Sequence, residues 1–217
     1  MVTDELYRPY KSDKLALFQN KLSPTAKLPY YGISMPNLRG LARGIDCSDI
    51  EIKWHEDVIL CGLALGFEKT AFSCKIDKLN KILPYLSSWD HTDSIVTAFK
   101  PRSDEKRQLV EYFSSLTRSD ETFIRRLGIV WLMANRNNID YEEALKTIIK
   151  ADNGADYYVM MAVSWALSFY ALDGRDISQE LEKVSETTKT KTLQKLRESK
   201  RTNKNLSIEI VRDRKTN

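Results

Sequence analysis

The chain is poor in residues that bend a backbone, with eight glycines and six prolines in 217 residues. So few turn-formers argue against a fold of many tight hairpins. The three cysteines, Cys47, Cys61 and Cys74, stand far apart and form no Cys-x-x-Cys pair. They fit free thiols in a reducing, cytoplasmic setting and offer no zinc site. His55 and His91 are the only histidines, too few for a histidine-rich metal centre, so neither metal nor cofactor is expected. No apolar run approaches the roughly 20 residues that cross a bilayer, and no membrane partner is expected. The first residues, MVTDELYRPYKSDK, carry acids and lack the apolar core of a signal peptide. Neither a glycine-rich phosphate loop nor a βαβ pattern occurs.

What is present suits a globular chain with a sizeable core, at 42% apolar and 29% charged residues. The net charge of +4 is unevenly spread: residues 189–217 hold ten Lys/Arg against three acids, a net of +7, leaving the rest at −3. A basic end on a mildly acidic body suits an anionic partner such as nucleic acid, although basic ends are common.

Helical periodicity runs almost unbroken. One helix is expected from Leu6 to Leu22, with apolar positions at Leu15, Leu17, Phe18 and Leu22 and a stop at Ser23-Pro24. Pro36 suits a first turn, followed by the stripe Leu38, Leu41, Ala42 and Ile45. Asp49 or Glu51 is expected to open the next helix, whose centre, residues 57–67, is almost wholly apolar. Further helices are read at 76–83, from Trp89, at 104–117 behind a Ser103-Asp104 cap, and at 123–133. Asp140 and Asp156 are expected to cap the two that follow, and shorter helices are read near 176–185 and 189–199. Only residues 207–211 alternate like a strand. The expected fold is all-α: a HEAT-like, ARM-type α-solenoid of antiparallel helix pairs with a concave binding face. Residues 1–201 are read as one repeat domain and 202–217 as a basic C-terminal tail.

Some residues stand where a core would not choose them. In a helix starting at Trp89, Trp89 and Asp93 are four apart and share a face. The plain reading is a partly buried indole beside an acid that favours the helix dipole. Arg125 and Arg126 begin an otherwise apolar helix and need water or an acidic partner. Trp165, within Ala162–Leu167, reads by itself as core. The run 195–201 reads as a solvated basic face.

Together these segments resemble the DNA alkylation repair glycosylases of the AlkD family, over roughly residues 25–201. Residues 31–42, YGISMPNLRGLA, are similar to that family's aromatic-Gly-Val/Ile…Pro…Arg motif. Trp89-Asp90-His91-Thr92-Asp93 is similar to its Trp-Asp-x-x-Asp, and Phe123–Ile129 to its Trp-x-Arg-Arg-x-Ala-Ile. Residues 156–167 are similar to its Phe-x-x-x-Ala-x-x-Trp-Ala-Leu helix. The chain departs from the pattern at Thr92, where an apolar residue is common, at Phe123, often Trp, and at Ser168, often Arg.

The resemblance implies a HEAT-like glycosylase acting on N3- and N7-alkylated purines in duplex DNA, as a monomer and without deep base flipping. It implies that Asp93 is the catalytic carboxylate, that Trp89 and Trp165 are aromatic walls, and that Arg126 contacts DNA. Arg125, Arg39, Arg43, Lys195, Arg197, Lys200 and Arg201 are further candidates for phosphate contact. Two alternatives stay open: a catalytically inactive HEAT-like nucleic-acid-binding protein, and a helical protein-binding scaffold in which both indoles are core.

Overall fold

The computed structural model describes residues 3–102 and 104–199. Among the described residues the regular elements are all helical, as the periodicity predicts. The chain forms two compact units, 1–109 and 110–217.

The first unit is built around α4 (His55–Phe67), in which every residue from His55 to Leu65 is buried. A helix apolar on all sides belongs at the centre of a core. Helices α3 (Met35–Leu41), α5 (Phe72–Ile82) and α6 (Trp89–Ile95) pack against it. Two glycines four apart on α4 decide how closely α6 approaches. A Cβ at Gly62 would lie 2.2 Å from Ile95 Cγ1, and one at Gly66 would lie 2.8 Å from Ala98 Cβ. Only glycine leaves room for this crossing.

Three consecutive polar side chains at the start of α4 tie down distant segments. The buried Glu56 carboxylate accepts the backbone N–H groups of Tyr31 (2.9 Å), Gly32 (2.7 Å) and Ile33 (3.1 Å). The Asp57 carboxylate accepts the Thr3 hydroxyl (2.6 Å) and the N–H groups of Lys53 (2.9 Å) and Trp54 (2.7 Å). His55 reaches Asp90 at the start of α6. Gly32 sits at φ +93°, and a Cβ there would lie 2.1 Å from the Ser12 carbonyl oxygen. That backbone is open to glycine almost alone.

Two expected helix boundaries are corrected here. The single helix from Leu6 to Leu22 is two, α1 (Asp4–Tyr7), continued by a 3-10 turn at 8–10, and α2 (Asp13–Leu22). Pro9 limits the continuation of α1. Ser12 restarts the chain as an N-cap, accepting the Leu15 N–H at 3.3 Å. Leu17, Phe18 and Leu22 are exposed rather than core. Neither Asp49 nor Glu51 opens α4: Asp46 caps a 3-10 turn at 47–49, and the helix begins at His55, where Asp57 caps back onto Trp54.

The second unit centres on α10 (Tyr157–Leu172), packed against α8 (Thr122–Ala134), α9 (Tyr141–Lys150) and α12 (Glu186–Glu198). The boundary between the units falls within α7 (Lys106–Leu116). Asp140 and Asp156 cap α9 and α10 as expected, each accepting two backbone N–H groups. Phe113 stacks on Trp131 with centroids 4.4 Å apart. The helix expected over 176–185 shrinks to α11 (Ser178–Leu181). The next begins earlier than expected, because Ser185 accepts the Thr188 N–H. The expected Ser103 cap, the strand at 207–211 and the tail at 202–217 lie outside the described residues.

Candidate functional site

Ser87 and Ser88 lead into α6, whose first residue is Trp89 and whose fifth is Asp93. Trp89 is 36% exposed, and its Nε1 lies 3.5 Å from the Leu22 carbonyl oxygen. Asp93 is half-buried. The Thr92 hydroxyl is 2.7 Å from the Trp89 carbonyl oxygen and 3.0 Å from Asp93 Oδ1. Thr92 is fully buried, and the departure from an apolar residue places beside the carboxylate a hydroxyl whose single proton is shared with the nearer Trp89 carbonyl.

Behind this turn lies a network of the two histidines. His55 Nε2 is 3.0 Å from both Asp90 oxygens, and the Ser88 hydroxyl also donates to Asp90. The Ser87 N–H donates to His91 Nδ1 at 3.3 Å, so His91 carries its proton on Nε2 and donates to the His55 carbonyl at 3.1 Å. Tyr30, His55 and His91 stack in succession, with centroids 4.0 and 3.8 Å apart. Burial, reinforced by the His55 charge, pushes the His91 imidazole down to about 3. Burial draws the Asp90 carboxyl upward, but the hydrogen bond and charge of His55 outweigh it and hold Asp90 below its usual range. The result is a largely buried, hydrogen-bonded seat for the start of α6.

His55, Asp90 and His91 bring potential metal-ligating atoms within 4.8 Å of one another. The rings lie nearly parallel, 28° apart, and three of their four nitrogens are committed to hydrogen bonds. In-plane lone pairs of stacked rings do not converge on one point, so this arrangement suits a hydrogen-bonded brace better than a metal centre. A second cluster, Asp46, Cys47 and Glu68, is already served by a cation: Lys78 Nζ lies 2.8 Å from Asp46 and 2.7 Å from Glu68.

The remaining candidates differ in accessibility. In the first unit Arg39 and Arg43 are exposed, and Arg43 lies over the Phe67 ring, 5.3 Å from its centroid. In the second unit Trp165 is half-buried, edge-on to Phe169, and lines a shallow cavity with Lys195 and Ser168. Arg126 is buried, 5% exposed, and its Nη1 donates to the Tyr158 carbonyl at 3.0 Å. Arg125 donates through Nε to the Ser119 carbonyl at 2.6 Å and sits 3.6 Å from Asp120. Burial lowers the Lys195 ammonium, and Arg126 and Lys191 add to this against the opposing pull of Glu198. Arg197 is exposed, while Lys200 and Arg201 lie outside the described residues.

The sequence reading missed His55 and Asp90 as supports of α6, and Lys75, Lys100 and Arg102 as neighbours of Arg39 and Arg43 around one cavity. A signal for Lys75 was present. It stands four residues before Leu79, on the stripe that α5 buries.

A comparison with curated proteins finds no match to the chain. The family model described as DNA alkylation repair enzyme matches residues 5–202. That span holds the Trp89–Asp93 turn, its histidine brace and every described helix beyond the first residue of α1. With nearly the whole fold inside the match, the chain belongs to the DNA alkylation repair enzyme family.

Proposed function

We propose that the protein is a DNA glycosylase that removes N3- and N7-alkylated purines from duplex DNA, acting as a monomer, with Asp93 as its catalytic carboxylate. The observation that carries this reading is the start of α6. A partly exposed indole and a carboxylate share one helix face on a turn held by buried and part-buried hydrogen bonds. A scaffold that used Trp89 only as core would bury it.

The chemistry follows from the charge of the lesion. Alkylation at N3 or N7 makes the purine cationic and weakens its bond to the deoxyribose. As that bond breaks, its electron pair leaves with the base and positive charge moves to the sugar, as in glycoside hydrolysis. Asp93 stabilises that developing charge and orients the water that adds to the anomeric carbon. The Thr92 hydroxyl, whose proton is shared between the Trp89 carbonyl and Asp93, limits reorientation of the carboxylate when it turns to Asp93. Trp89 lies against the sugar and base through its aromatic face, and Trp165, in the second unit, is assigned as an aromatic wall by the family resemblance alone. Arg39, Arg43, Lys195 and Arg197 neutralise phosphates, which makes binding sequence-independent and salt-sensitive. Arg126 is assigned to DNA contact by the family resemblance, and its burial argues that it also braces α8 against Tyr158.

The test is release of 7-methylguanine and 3-methyladenine from methylated duplex DNA by the wild type and Asp93→Asn. Single-turnover release that falls at least 100-fold in the variant, with DNA affinity changed less than threefold, supports the assignment. Salt-dependent DNA binding without any release by the wild type sinks the glycosylase reading.

A further inference from the structure

The first unit contains an open cavity of about 430 Å³ whose lining does not include Asp93, although two of its residues, Arg39 and Arg43, are proposed above to meet phosphates. It lies where the end of α4 meets the start of α5, between α3 and residues 97–102 with Glu105. Five cations line it, Arg39, Arg43, Lys75, Lys100 and Arg102, against one acid, Glu105. Among the described residues none of the five cations is in an ion pair.

Lys75 is the most informative of them. It is only 8% exposed and stands on the buried stripe of α5 with Leu79 and Ile82. No hydrogen bond or ion pair holds its ammonium among the described residues. The stem is buried while the ammonium keeps access to the cavity, where an unpaired positive charge can meet an anion. Three further lining residues are aromatic: Phe67 is 46% exposed, Phe72 is partly exposed and Phe99 is buried. Phenyl faces beside a group of cations match a planar base joined to a phosphate. The volume lies within the roughly 300–1,000 Å³ of small-ligand pockets, which suits one nucleotide and is too small for a duplex.

We infer that this cavity binds a single nucleotide unit, its phosphate met by the lining cations and its base by the accessible phenyl rings of Phe67 and Phe72. The nucleotide comes either from an unpaired strand end of DNA or from free nucleotide. The first source rests on the DNA-repair reading; the second does not.

The test uses the full chain. Isothermal titration with dAMP, deoxyribose 5-phosphate and inorganic phosphate covers the free ligand. Fluorescence anisotropy of a duplex with a four-adenine 3′ overhang, against a blunt duplex of equal length, covers the strand end. The expected result is that at least one nucleotide probe is favoured tenfold or more, dAMP over inorganic phosphate or overhang over blunt. Lys75→Met, which keeps the buried stem, removes that preference, and Phe67→Ala weakens base-bearing probes while leaving phosphate binding alone. Arg102→Ala, on an exposed segment, repeats the Lys75 result if Lys75→Met fails to fold. Preference for the overhang alone identifies DNA as the source, and tight dAMP binding alone identifies free nucleotide. Equal affinity for dAMP and phosphate together with no overhang preference overturns the inference, as does a preference unmoved by the variants. Asp93→Asn leaves dAMP binding intact. Nucleotide binding without base release by the wild type therefore refutes the glycosylase reading and not this one.

Discussion

The close crossing of α4 and α6 predicts opposite outcomes for two similar substitutions. Gly40→Ala lies in α3 with nothing within 4 Å of the added carbon. Replacing glycine by alanine in a helix favours folding by about 1 kcal/mol, so Gly40→Ala should stabilise by about that amount. Gly62→Ala gains the same propensity but places its carbon 2.2 Å from Ile95 Cγ1. Overpacking of a core costs about 1–3 kcal/mol. The two variants should therefore differ by about 1–3 kcal/mol, with Gly62→Ala the less stable. Relief requires Ile95, and with it α6, to move away from α4, so base release should fall even where Gly62→Ala remains folded. Ile95→Ala alone removes a fully buried side chain and costs about 2–5 kcal/mol. Combined with Gly62→Ala it should cost less than the sum, by about 0.5–3 kcal/mol. Urea melts of the three single variants and the double variant, with single-turnover base release, measure each term. If Gly62→Ala stabilises as much as Gly40→Ala and keeps full activity, the crossing does not position α6 and this reasoning is refuted.

Two more tests concern the turn itself. His91 is depressed from 6.5 to about 3 in the folded state, so between these values the unfolded chain holds the extra proton. Stability should be flat above pH 6.5 and fall by about 1.4 kcal/mol per pH unit as pH drops toward 3. Asp90, lowered by His55, adds to the loss in the carboxylate range. Urea midpoints from pH 8 to 4.5 should slope in the wild type and flatten in His91→Asn; parallel curves would remove His91 from the account. Thr92→Val keeps the buried volume but removes the donor 3.0 Å from Asp93. Base release should slow three- to tenfold with unchanged DNA affinity, and an unaltered single-turnover rate would show that the hydroxyl does not hold the carboxylate.

Helix identity and most boundaries were legible because each unit buries continuous apolar stripes, and Asp140 and Asp156 announce their helices by capping. The start of α4 was not legible. Its cap is set by Asp57 reaching back to Trp54, and its neighbouring acids are satisfied by Thr3 and by residues 31–33. Local pattern holds no trace of partners so far away in the chain. Trp89 and Asp93 stood out because four-residue spacing is a local property. Their support by His55 was hidden, because 35 residues separate His55 from Asp90. Arg126 shows the converse. A charge in an apolar helix reads as needing water or an acidic partner, and the fold buries it with a hydrogen bond to the Tyr158 carbonyl.

The triplet His55-Glu56-Asp57 also sets where this chain can change its length. Successive helical residues point about 100° apart, so each of these side chains meets its partner only in one rotational phase. Adding or removing one residue between Trp54 and Val58 would turn Glu56 away from residues 31–33, Asp57 away from Thr3, and His55 away from Asp90 together. The exposed link Lys69–Ala71, which joins α4 to α5, carries no such phase requirement. Insertions and deletions among relatives should therefore collect at that link and be missing from the start of α4, even though both look equally polar in the bare sequence.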